Sequence, residues 1–95
     1  MHARVATFEL GEAPDEMIEQ VRGDVESGSL PAGLEDVKGM MLLVDRGNGK
    51  AMAVMLFESE EAMKHGDEAL NARSPSGGGH RTGVEFFEVA VQRRT

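Results

Sequence analysis

The chain has no cysteine in its 95 residues. That absence excludes disulfide staples, thiolate metal sites and a cysteine nucleophile, and it fits a reducing cytosol. Long apolar runs are missing as well. The longest, residues 51–57, falls far short of the roughly 20 residues needed to span a bilayer. Acids arrive too early in the opening "MHARVATFELGE" for a secretory signal. A cytoplasmic protein with no membrane association is therefore expected. Positive charge is scarce: 10 Lys and Arg stand against 17 Asp and Glu, for a formal charge of −7. Ten of the acids and only four of the bases fall in residues 1–48. Such a surface repels phosphate backbones and argues against nucleic-acid binding. The basic pair Arg93-Arg94 is too small to reverse this.

What is present is enough for one domain, residues 1–95. A chain of this size buries roughly 60–65% of its unfolded surface, so its core is modest and a second chain is an attractive stabiliser. Residues 3–10 alternate as Arg4, Ala6, Phe8, Leu10 against Ala3, Val5, Thr7, Glu9, a strand with apolar groups on both faces. Pro14 suits the first turn of a helix, and Asp15 and Glu16 suit the positive end of its dipole. Ile18, Val21 and Val25 supply an apolar stripe, and Gly28 a stop. Residues 29–39 read as a connection with Leu30, Leu34 and Val37 as plugs into the core. "MMLLVDR" and "AMAVMLFE" flank Asn48-Gly49, a dipeptide that accepts the positive φ of a two-residue hairpin turn. Ser59 is placed to cap a second helix, with Glu60 and Glu61 in its first turn. Ala62, Met63, Gly66, Ala69 and Leu70 share one face of that helix. A glycine-rich loop, "SPSGGGHRTG", precedes the last strand, "VEFFEVAV".

The order β-α-β-β-α-β predicts an α+β, ferredoxin-like plait: a four-stranded antiparallel sheet with two helices on one side. Every strand carries apolar residues on both faces, whereas two helices cover only one face. A second copy of the chain is the economical cover for the other, which predicts a homodimer.

Few residues point to chemistry. "GNGK" lacks the spacing of a phosphate-binding loop: Val44 stands five residues before Gly49, and Ala51 follows Lys50 where a hydroxyl is required. The three histidines form no His-x-x-His or Glu-x-x-His pair, so no metal site is expected. His2 at the chain start reads as solvated. His65, at the edge of the second helix's apolar stripe, and His80, in the glycine-rich loop, are candidate general bases because imidazole titrates near neutral pH. Thr7 and Glu9 share one face of the first strand, while Glu85 and Glu88 project from opposite faces of the last. Any of these that faces an interior is a ligand-binding candidate. The methionines concentrate around the hairpin and second helix, where they serve as core filler or line an adaptable cleft. Met41, Met55 and the neighbouring Phe57 are the candidates of that kind.

The stretches "ARVATFE", "GMMLLVDRGNGKAMAVMLFESEEAM" and "VEFFEVAV" resemble the antibiotic biosynthesis monooxygenase-like proteins of the dimeric α+β barrel superfamily. The most specific part is a strand ending in an aromatic residue, then Ser-Glu-Glu-Ala at a helix start, here Phe57 and residues 59–62. The resemblance covers nearly the whole chain. It implies a homodimer whose sheets face each other, with a cleft between each sheet and its helices. It also implies relatives that are cofactor-independent oxygenases of phenolic substrates, or haem-degrading oxygenases. Those enzymes use an asparagine on the first strand with a tryptophan or histidine on the second helix. Here there is no tryptophan or tyrosine, and the only asparagines are Asn48 and Asn71, of which Asn71 is a further catalytic candidate. Gly66 stands where the haem degraders carry tryptophan, which argues against haem degradation. Two readings follow, both without a cofactor. One is a homodimer that binds a small apolar or aromatic molecule between sheet and helices. The other is a cofactor-independent monooxygenase acting on a phenolic or quinol-type substrate.

Overall fold

The computed structural model describes residues 1–11, 14–28, 34–71 and 80–93. Its elements are β1 (His2–Glu9), α1 (Pro14–Ser27), β2 (Val37–Asp45), β3 (Lys50–Phe57), α2 (Glu60–Asn71) and β4 (His80–Glu88). All strand pairs are antiparallel, in the order β2-β3-β1-β4. This is the β-α-β-β-α-β plait expected from the sequence. Each helix bridges two strands that have a third between them, and right-handed crossovers place both helices on one side of the sheet.

Local signals explain the element ends. α1 begins at Pro14 with Asp15 and Glu16 in its first turn, and Gly28 follows it at φ 71°. The Ser59 hydroxyl accepts the backbone N–H of Ala62 at 3.1 Å, satisfying one of the donors a helix start leaves open. β4 begins at His80, earlier than the glycine content suggests. His80 is therefore a strand residue, not a loop residue, paired with Glu9 of β1. His2 is likewise a half-buried strand residue, between Phe57 and Glu88. Strand pairing on both sides of β1 overrides the weak intrinsic preferences of these ends. Leu30 lies outside the described residues.

The hairpin differs from the two-residue turn that Asn48-Gly49 suggests. Asp45 pairs with Lys50, and the four residues between them form a 3-10 turn closed by Gly49 at φ 64°. Asn48 keeps a negative φ because the Asp45 carboxylate takes both its backbone N–H, at 3.3 Å, and its side-chain amide, at 2.7 Å. The amide of Asn48 holds the Asp45 carboxyl below the usual aspartate range. A carboxyl depressed in the folded state contributes stability above its unfolded pKa and loses it as pH falls through the folded one. NMR titration of Asp45 is expected to give a lower midpoint in the folded chain than in the unfolded chain, and Asn48→Ala to raise the folded value.

α1 buries a stripe that differs from the one read in the sequence. Met17 is its buried residue, Ile18 and Val21 are half-buried, and Val25 is exposed. The helix is rotated so that Met17 and Val21, four apart, face inward. The core cluster is Leu34, Met55, Phe57 and Met63, with Val37, Met40, Ala62 and Leu70 packed against it.

Candidate functional site

Register separates the two faces of the sheet. Phe57, Met55, Ala53 and Ala51 of β3 lie level with His2, Arg4, Ala6 and Phe8 of β1, and with Val84, Phe86 and Glu88 of β4. This is the helix-bearing face, because Arg4 donates to Asp67 of α2 at 2.8 Å. The opposite face carries Ala3, Val5 and Thr7, then Met41 and Leu43, then Met52, Val54 and Leu56, then Phe87.

α2 seats directly on β3. A Cβ built on Gly66 would fall 2.7 Å and 2.9 Å from the Phe57 ring and 3.3 Å from Leu34. Phe57 is fully buried, so its ring has little freedom to retreat, and no side chain of any size fits at position 66. Gly66 therefore serves close packing. Gly66→Ala is expected to destabilise the chain by about 1–3 kcal/mol through overpacking, offset by about 1 kcal/mol of helix propensity. Thermal melts should show Phe57→Leu relieving part of that loss in the double variant.

Beyond this contact three alanines, Ala6, Ala51 and Ala53, lie on the floor beneath the helices. Ala6 pairs directly with Ala53, and Leu42 and Val84 extend the same row across the sheet. Ala51 lies one step further along β3. α2 packs on β1, β3 and β2. Small residues beneath a helix leave the room that an apolar cleft between sheet and helices requires.

A polar chain runs along one side of that floor. Arg4 is only 2% exposed. Its Nε–H donates to Asp67 Oδ1, the Asn71 side-chain amide donates to Asp67 Oδ2 at 3.2 Å, and Arg81 donates to Asn71 Oδ1 at 2.6 Å. Arg81 reaches this side because a bulge at Thr7 and Phe8 shifts the β4 register, with the Thr82 hydroxyl donating to the Thr7 carbonyl at 3.2 Å. An arginine at the third residue of β1 gives no sequence sign of burial. The one signal available was its membership of the Arg4-Ala6-Phe8 face.

The sequence candidates do not assemble around one point. Met55 and Phe57 lie on the helix-bearing face, within the core cluster. Thr7, Glu9, Met41 and Glu85 lie on the opposite face. Glu88 is on the helix-bearing face, level with His2, so the two glutamates of β4 do point to opposite sides. His65 is exposed on α2 and lines an open surface groove with Asp36, Ser59, Glu61 and Ala62. Asn71 belongs to the Arg4 network. His80 begins β4. Among the described residues, no three His, Asp or Glu gather closely enough to hold a metal ion.

Neither a protein-family model nor a curated protein sequence matches the chain. The fold has a solved counterpart: an arginine-to-serine mutant of MhuD with two manganese protoporphyrin IX bound per active site. The two superpose with a TM-score of 0.68 at 18% sequence identity, over 100% of both chains. Similarity at that identity establishes a common fold. No described helix is long and apolar enough to cross a membrane.

Proposed function

We propose that the chain is a homodimeric α+β barrel protein that binds a small apolar or aromatic molecule between its sheet and helices. The observation that carries this reading is the trio of alanines, Ala6 and Ala53 with Ala51 beside them, on the helix-bearing face. The structural counterpart supports it, since MhuD holds planar tetrapyrroles on the same fold. Calorimetric titration with planar apolar probes, including anthrone, a naphthoquinone and protoporphyrin IX, is expected to find saturable binding by one of them. Amide shifts in NMR should centre on Ala6, Ala53 and Val84. No saturable binding, or shifts confined to Met41, Leu43 and Phe87, would overturn the proposal. Binding without turnover is the preferred form, because the described polar candidates do not converge. Bound ligand recovered chemically altered would instead favour the cofactor-independent monooxygenase.

The partner surface follows from the opposite face. Met41, Leu43 and Phe87 are 53%, 47% and 48% exposed there, next to half-buried Val5, Met52, Val54 and Leu56. A row of that kind across four strands is costly to leave in water, and a second copy covers it by symmetry. Light scattering is expected to give about double the chain mass of 10.2 kDa. Leu43→Glu should return it to the single-chain value, because a buried charge with no partner opposes association.

A further inference from the structure

Arg4 makes half of the contact its neighbour could offer. A guanidinium beside a carboxylate ordinarily forms two parallel hydrogen bonds. Here only Nε–H reaches Asp67, while Asn71, itself anchored by Arg81, donates to the second Asp67 oxygen. Among the described residues, Arg4 Nη2 is buried and meets no acceptor. Proteins rarely leave a buried charged donor unsatisfied, because its desolvation is then uncompensated. Arg4, Asp67 and Arg81 together carry one excess positive charge in a chain whose formal charge is −7.

We infer that Arg4 Nη2 is the anchor for a ligand carboxylate, so that the molecule held between sheet and helices is an aromatic acid. The inference rests on the cleft proposed above and specifies the chemistry of its occupant. Arg4 is two residues from Ala6 on the same face of β1, which places the donor at the edge of the apolar floor. Its direct cross-strand neighbour on β4 is Phe86, 47% exposed although it lies on the helix-bearing face. Cross-strand neighbours on one face are within side-chain reach of each other. Phe86 can therefore stack on the ligand ring, and its exposed side can yield as the carboxylate enters.

The test compares 1-naphthoic acid with its methyl ester, which has the same ring system and no charge. The whole chain is expected to bind the acid about tenfold more tightly, the scale of one charge-assisted hydrogen bond. Arg4→Lys keeps the charge but loses the fork, and should remove most of that preference. Equal affinity for acid and ester in the parent would overturn the inference and leave the apolar cleft standing. Preference retained in folded Arg4→Lys would overturn the role of the uncommitted donor. Failure of both acid and ester to bind while another planar probe binds would overturn the inference alone; failure of every probe would remove the cleft, and the inference with it.

Discussion

Phe57→Ala is expected to cost about 3–5 kcal/mol, the range for deleting a fully buried phenylalanine from a core that cannot collapse onto the space. Phe57 is 0% exposed and sits among Leu34, Met55 and Met63. Collapse is poor here because one wall of the resulting cavity is the backbone of α2 at Gly66, whose virtual Cβ lies under 3 Å from the ring. That wall has no side chain to relax inward. Small domains have total stabilities of about 5–15 kcal/mol, so the variant stands near the edge of unfolding. Its melting temperature should fall by well over 10 °C, at about 4–8 °C per kcal/mol. Phe57→Leu, which keeps most of the volume, should cost clearly less. A drop of only a few degrees for the alanine variant would show that α2 is not seated on this ring. Melts need to be compared at one protein concentration, because the proposed dimerisation would add its own stabilisation.

Asp67→Ala is the second large effect, through electrostatics instead of packing. The Arg4 and Asp67 side chains are 3% and 22% exposed. Removing the carboxylate leaves the guanidinium buried without its ion-pair partner, and breaking a buried pair from one side costs about 3–5 kcal/mol. Partial exposure of Asp67 admits water to the site and moves the expectation to the low end of that range. Replacing both partners, Arg4→Met with Asp67→Leu, should restore much of the loss, since well-packed apolar groups replace buried ion pairs at little cost. A double-mutant cycle by chemical denaturation checks both statements. Additive losses would mean that the pair contributes no coupling. The surface pair Arg46 and Asp15, 2.7 Å apart with both side chains mostly exposed, should show almost none.

These two effects share a position in the fold. Phe57 and Arg4 are the points at which α2 is fastened to β3 and β1, and both flank the alanine floor. The proposed cleft therefore depends on the seating of one helix, and variants that loosen α2 should weaken ligand binding together with stability.

Element order was legible in the sequence because its signals are local. A proline with two acids opens α1, a serine caps α2, and alternating or continuous apolar runs mark the strands. The physics of those signals acts within a few residues, so no knowledge of the partner element is needed. The same holds for the apolar character of both sheet faces, which follows from the strand sequences once four strands and two helices are counted. Other features depend on groups distant in sequence. The burial of Arg4 is decided by Asp67, 63 positions away. The need for glycine at position 66 is decided by a ring on another element. The rotation that turns Met17 inward and Val25 outward is set by how α1 docks. The hairpin shape is intermediate: Asn48-Gly49 marked the turn, but the Asp45 carboxylate chose a four-residue loop. Periodicity and capping act along the chain, whereas the donor on Arg4 and the floor of alanines exist only where strands and helices meet.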